Sequence, residues 1–312
     1  MIKDKKCFID EGRFYKGNTH THTKNSDGQA TYDDRIRDYI ANGYDFLVLA
    51  DHEYYSIYTE YNSDTFLFVP GMEFECGSKP EESALGYHTT CFAYPNKNTI
   101  PEGRIVWPEG TTIDDQMKYV LGSNNYCIAA HPYWLGMRYD TLIDQFKRGC
   151  IGMEIFNSIC HFGWGTGFSE GYLDYAIMKG YYPLIFAADD YHGPAFSDVK
   201  DHFTGYIKVK AKELTYDSII DSILKGSFFA SYAGPDIHNF EIKDGTVIVD
   251  CDPCFMVGLR SPQTFGGKVM SFKNDVTHAE FKLGGHEKCV RVVVDDGKGH
   301  MSWSQILTVE NV

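Results

Sequence analysis

The sequence predicts a parallel α/β fold, a barrel or an open sheet, followed by a small antiparallel β domain. Three observations lead there. Through about residue 190, short apolar runs alternate with polar, helix-length segments, which is the pattern of a parallel sheet covered by helices. No Gly-x-Gly-x-x-Gly or Walker-type loop follows any of these runs, which counts against a nucleotide-binding open sheet. After about residue 235 the period changes to strict alternation around turn residues.

The apolar runs at 46–50, 66–69, 127–130, 153–156 and 184–188 are short, bounded by Gly, Pro or polar residues, and read as buried parallel strands. Before the first of them lies a helix. Thr31 caps it with Asp34 at the third position, Ile36, Tyr39 and Ile40 form its apolar stripe, and Gly43 closes it. Similar segments fall near 111–121, 139–148, 169–179 and 215–225. In the tail, Asp244-Gly245 divides the alternating stretch 240–249 into a hairpin, and 290–299 with 303–309 reads as another. The division expected is 1–235 for the α/β domain and 236–312 for a β domain that covers its flank.

Composition bounds the function. The 312 residues are 43% hydrophobic and 15% aromatic, enough for a large core and incompatible with global disorder. Lys and Arg total 29 against 43 Asp and Glu, a net charge of −14. Such a surface repels polyanions, so nucleic-acid or anionic-membrane binding is not expected. A small anionic substrate is compatible with it, because bound metal ions reverse the local sign. The opening Met1 to Cys7 has no apolar stretch behind it and does not read as a signal peptide, and no run is long enough to span a bilayer. Nine scattered cysteines, an odd number, read as reduced thiols in a cytoplasm. Cys251-Asp-Pro-Cys254 has the spacing of half a zinc site, but without a second pair it reads as a turn with two thiols.

The chemistry is written at strand ends. Five apolar runs include or lead straight into His, Asp or Glu: Asp51-His52, Glu73, His131, Glu154, and Asp189, Asp190 and His192. In a barrel the C-terminal strand ends meet at one face, so these residues converge although they are far apart in sequence. In His20-Thr21-His22 the two-residue spacing puts both imidazoles on one side of a strand. Asp190 and His192 repeat the spacing, and His88 precedes another β-like segment. Imidazoles with carboxylates and no thiolate suit Zn²⁺, Mn²⁺ or Fe²⁺.

His20-Thr-His22-Thr23, Ser26-Asp27-Gly28 and Ala50-Asp51-His52 resemble the opening of the PHP family, the polymerase and histidinol phosphatase metal-dependent hydrolases. Gly71-Met-Glu73, His88, Ala130-His131-Pro132 and Asp190-Tyr-His192 are similar to its later motifs, in order, over about residues 14–192. The opening Phe14 to His20 and the β tail resemble a two-domain branch that includes aryl-carbamate hydrolases. The resemblance implies a distorted seven-stranded β/α barrel and up to three divalent ions. By it, His20, His22, Glu73 and Asp190 hold the first ion, and Glu73 bridges to a second bound by His88 and His131. Asp27, His52 and His192 hold the third, with Asp27 standing where some members use a histidine, a harder site suited to Mn²⁺.

On this reading Glu73 and Asp190 are catalytic through the ions, and His161, in the loop after the fourth run, can protonate a leaving group. Asp51, Glu154 and Asn157 support the ligands from behind. Arg138 and Lys24 are candidates to bind a substrate anion, and Tyr133, Trp134 and Trp164 to form an aromatic wall. The expected activity is hydrolysis of a small phosphate ester by a metal-bridging hydroxide. The alternatives are a metallohydrolase of carbamate, ester or amide bonds and a metal-binding regulatory module without turnover. The substrate and the oligomeric state are not legible.

Overall fold

A computed structural model describes residues 2–199, 201–262 and 264–311. The helices begin where side chains can cap them. In α1 (Tyr32–Ala41) the Thr31 hydroxyl accepts from the Asp34 amide at 3.1 Å, and the Gly43 amide, at φ +74°, bonds the Ile40 carbonyl at the other end. A capping box of Thr112 and Asp115 starts α2 (Ile113–Gly122). Gly149, left-handed at φ 119°, stops α3 (Tyr139–Arg148). Next come α4 (Ser158–Trp164), α5 (Glu170–Met178) and α6 (Tyr216–Leu224). The sequence did not announce α4; its segment was expected to be a loop. It is seven residues long, too short to display a helical period, and its limits come from single residues. Asn157 accepts from the Cys160 amide at 3.1 Å, and Gly165 ends the helix at φ 72°.

All five apolar runs enter parallel pairs. Arg13–Asn18, Phe46–Leu47 and Leu67–Phe68 lie side by side, with Gly17 opposite Phe46 and Phe46 opposite Leu67. A Cβ on Gly17 would meet the Phe46 ring at 2.1 Å, so only glycine fits there. Tyr126–Ala129, Cys150–Asn157 and Leu184–Ala188 form the second parallel set. Two further strands make this region mixed. Gly71–Cys76 pairs antiparallel with Tyr87–Phe92, which also runs antiparallel to Tyr126–Ala129. These strands belong to a five-stranded and a ten-stranded sheet. Backbone bonds stitch the two together at the segments that carry the polar strand ends. The Asp190 amide donates to the His20 carbonyl at 2.7 Å and the His22 amide to the Tyr191 carbonyl at 3.0 Å. On the far side the Glu53 amide donates to the Glu73 carbonyl at 2.8 Å.

The tail continues the larger sheet. Met301–Ser304 pairs with Phe228–Tyr232, which pairs with Gly205–Ala211 and through it with Arg13–Asn18. Trp303 on that strand is fully buried in the main core, and its indole N–H bonds Glu170 at 3.1 Å. A second core lies within the tail, where Ile237, Phe240, Val247, Val249 and Val292 pack with Phe8 and Phe229. The hairpin of Ile237–Lys243 and Thr246–Cys254 turns at Asp244 (φ 49°) and Gly245 (φ 70°), the left-handed pair that matches strand twist. No helix among the described residues is long and apolar enough to cross a membrane, and all nine cysteines are free.

Candidate metal centre

Three segments far apart in sequence bring ligand atoms to one point. Donor atoms of His20, His22, Glu73 and Asp190 all lie within 4.8 Å of one another. His20 Nε2 stands 3.0 Å from Glu73 Oε2, 3.1 Å from Asp190 Oδ1 and 3.1 Å from His22 Nε2. His22 Nε2 is 3.0 Å from Asp190 Oδ1 and 3.3 Å from Glu73 Oε2. Ligand bonds of about 2.0–2.2 Å in a tetrahedral arrangement put neighbouring donors roughly 3.3–3.6 Å apart, so this set is close to the edge lengths of a transition-metal site. All four residues are buried.

Two further groups adjoin it. His52, Glu73 and His88 form one, with His88 Nδ1 3.1 Å from Glu73 Oε1. His22, Asp27, His52 and His192 form the other, with His192 Nε2 3.3 Å from Asp27 Oδ2. His131 points at the same carboxylates, its Nε2 3.4 Å from Glu73 Oε1 and 3.6 Å from Asp190 Oδ2. The three sets share His22, His52 and Glu73, so they form one continuous patch of donors.

The surroundings fix which nitrogen of each ring is available. Glu154 receives His20 Nδ1 at 2.7 Å, which leaves Nε2 for the site. The second Glu154 oxygen accepts from the His131 amide at 3.0 Å and from Asn157 Nδ2 at 2.9 Å; Asn157 also donates to Asp190 Oδ2 at 3.1 Å. His192 Nδ1 bonds the Asp190 carbonyl at 2.8 Å, which turns its Nε2 toward Asp27. Such outer contacts set ring orientation and basicity at metal sites. Asp51 works through the chain rather than on an imidazole. It accepts from the Thr23 amide, the Thr23 hydroxyl and the Ser26 hydroxyl, each at 2.7 Å, and so shapes the turn that carries Asp27. Asp189 lies outside the site, buried and accepting from Asn18, Tyr39, Ser158 and the amides of Phe203, Thr204 and Gly205.

Electrostatics give the patch a strong demand for positive charge. Burial alone would raise the pKa of Glu73, but His20 and His52 hold it well below the carboxylate range. Asp190 behaves alike, with burial opposed and outweighed by His20 and His22. Burial alone would lower His20, yet Asp190, Glu73 and Glu154 hold it well above its ordinary value. His192 is raised to about 9, its burial outweighed by Asp27 and Asp190. A divalent cation with neutral imidazoles satisfies the same demand. The backbone reflects it too: His131 (φ 25°) and Asp190 (φ 55°) are held in the left-handed region, a strained conformation that clusters at functional sites.

A cavity of about 310 Å³ opens onto the patch, lined by Asp27, His52, Glu73, His88, His131, Asp190 and His192 on one side and by Trp134, Ile159, Cys160 and Trp164 on the other. Two members of the expected aromatic wall therefore stand in place, their rings 5.7 Å apart; Tyr133 instead packs against Tyr172. Three expected substrate contacts do not reach the cavity. The His161 ring lies among Phe156, Phe168 and Tyr232, with centroids 5.1–5.6 Å away. Arg138 is exposed at the start of α3 and bonds the Glu81 carbonyl, and Lys24 is exposed. Among the described residues no Lys or Arg lines the cavity.

Three contributors were not anticipated. Glu75 Oε2 lies 3.3 Å from His88 Nε2; its place two residues after Glu73 on one strand was the available signal. Arg35, fully buried on α1, donates Nε to the His22 carbonyl at 3.1 Å and also bonds the Gly193 carbonyl, tying two histidine segments together. Arg104 reaches the rim, but its guanidinium bonds the carbonyls of Asn25 and His52.

No protein-family model matches the chain, and no curated protein matches its sequence. A two-domain protein from Bacteroides vulgatus containing a predicted PHP-like metal-dependent phosphoesterase superposes with a TM-score of 0.53 at 14% identity, over 96% of each chain. A metal-dependent phosphoesterase candidate from Bifidobacterium adolescentis gives 0.42 at 14% identity, over 69% of this chain and 96% of that one. An amidohydrolase from Chromobacterium violaceum gives 0.40 at 14%, over 57% and 87%. The first of these extends the likeness to the fold of nearly the whole chain, tail included.

Proposed function

We propose that this chain is a metal-dependent hydrolase of the PHP type, a phosphoesterase acting on a small phosphate ester, with strands of its two larger sheets together serving as the distorted seven-stranded barrel of that family. One observation carries the reading: His20, His22, Glu73 and Asp190, from three separate segments, place donor atoms within 4.8 Å of one another. These four residues would hold one ion. Glu73 with His88, His131 and His52 would hold a second, and Asp27, His52 and His192 a third; Mn²⁺, Zn²⁺ and Fe²⁺ suit this donor set. Bound ions of this kind supply Lewis acidity toward a phosphoryl oxygen and bring the deprotonation of water into the neutral range. The chain's own part is positioning. Glu154 and His192's carbonyl partner fix the ring nitrogens, Asn157 holds Asp190, and Trp134 and Trp164 keep one wall dry.

A second reading, hydrolysis of a carbamate, ester or amide, draws support from the absence of Lys and Arg among the described residues that line the cavity, since an uncharged carbonyl needs no such partner. Turnover assays of Mn²⁺- and Zn²⁺-loaded protein on p-nitrophenyl phosphate, a bis-phosphate ester and an aryl carbamate separate the two. Hydrolysis of the phosphate esters is the expected result; hydrolysis of the carbamate alone overturns the phosphoesterase reading.

A further inference from the structure

The wall opposite the metal-ligand patch points to the part of the substrate that the ligands do not touch. Trp134 stands edge-on to His131 and His88, with centroids at 5.1 and 5.9 Å, so its ring borders the reacting region directly. Trp164 meets Trp134 at 61° and is 62% exposed, a large apolar ring left at the mouth rather than in the core. Ile159 and the buried Cys160 complete this side from α4. Ile159 also borders a second depression of about 430 Å³, lined by Phe162, Gly163, Val199 and Asp201, so apolar side chains continue beyond the cavity beside one carboxylate. Among the described residues no cationic side chain lines this cavity to receive a second anionic group: Arg104 is engaged with carbonyls and Arg138 and Lys24 lie elsewhere. From these observations, and resting on the phosphoesterase reading, we infer that the substrate is a monoester whose alcohol carries an uncharged, planar aromatic group, and that Trp134 and Trp164 determine this specificity by stacking against it.

Aromatic contact of this kind, together with the apolar area it removes from water, is worth about a tenfold gain in affinity or more. Benzylphosphonate and methylphosphonate share the anionic head and resist hydrolysis, so calorimetric titration of Mn²⁺-loaded protein reads the aromatic contribution alone. Benzylphosphonate is expected to bind at least tenfold more tightly. In Trp164→Ala, an exposed position where folding is not at stake, the ratio should fall to within threefold through weaker benzylphosphonate binding, with methylphosphonate unchanged. Trp164→Phe should restore most of it. In turnover, Trp164→Ala should raise KM for benzyl phosphate and not for ethyl phosphate, both of which expel an alkoxide of similar basicity. Equal binding of the two phosphonates by the unaltered protein, or an equal loss of both in Trp164→Ala, overturns the inference and leaves the phosphoesterase reading intact. Binding of neither phosphonate to metal-loaded protein overturns both.

Discussion

Replacing Glu73 with Gln removes the charge on which the donor patch converges. Its two oxygens lie 3.0–3.5 Å from ring nitrogens of His20, His22, His52, His88 and His131, and the residue is 1% exposed. At about 3.5 Å and an effective dielectric near 20, one unit charge contributes about 5 kcal/mol. The amide keeps a carbonyl dipole, so a loss of about 3–4 kcal/mol per adjacent ion is the working figure, equivalent to about 10²–10³ in affinity. Because Glu73 belongs to two of the donor sets, both ions should weaken together. The assay is metal analysis after dialysis against a weak chelator, followed by steady-state kinetics on p-nitrophenyl phosphate. Stoichiometry should fall by about two ions, and kcat/KM by about 10³, the scale of one major electrostatic element. Thermal unfolding supplies the control: metal should raise the Tm of the unaltered protein by mass action and raise that of the variant by less. A variant that keeps its full metal content, or retains kcat/KM within tenfold, would show that Glu73 does not bridge.

Asp27→Asn perturbs an exposed carboxylate shared only with His22, His52 and His192. It should cost at most one ion and leave the other two bound; metal analysis that shows loss of all ions contradicts this assignment. Glu154→Gln touches no ion yet loosens His20, His131 and Asn157, so metal affinity should drop by about 10–100-fold while stoichiometry at saturation is unchanged, as read by competition with a coloured chelator. Metal binding should release protons. His192 is raised to about 9 and His20 well above its ordinary value, so both carry protons at pH 7 until they ligate and must give them up. Affinity should therefore rise between about pH 6 and 9, and calorimetry in buffers of different protonation enthalpy should register the release; a flat profile refutes the linkage. Asp189→Ala leaves three side-chain donors and three backbone amides short of an acceptor. It should lower stability by about 3 kcal/mol or more, roughly 6 °C in Tm, with little change in metal affinity once folded.

The sequence disclosed what local chemistry determines. Thr31 with Asp34 marks a helix start because capping is made within one turn. The apolar runs mark strands because burial on both faces needs no periodicity. His20 and His22 were legible as a pair because strand spacing alone puts them on one side. Direction was not legible: Tyr87–Phe92 runs antiparallel to both neighbours, and nothing in its composition differs from a parallel strand. Nor was α4, whose existence depends on Asn157 and Gly165 rather than on a repeating pattern.

The same limit explains why ligand positions were readable and substrate contacts were not. A ligand at a strand end is aimed by the strand itself, and the strands that carry Glu73 and His88, like the segments after Tyr126–Ala129 and Leu184–Ala188, all deliver to one face. Lys24, Arg138 and His161 sit on turns and helix starts, where a rotation of the backbone by one residue sends the side chain elsewhere. His161 shows the consequence. Placed one turn into α4, it is carried to the Phe156, Phe168 and Tyr232 side, while its neighbours Ile159 and Cys160 take the cavity side. The helix thus substitutes an apolar wall for the expected acid. Any group that protonates a leaving alkoxide must then come from the histidine patch or from water, and the rate should show no dependence on His161 beyond its packing.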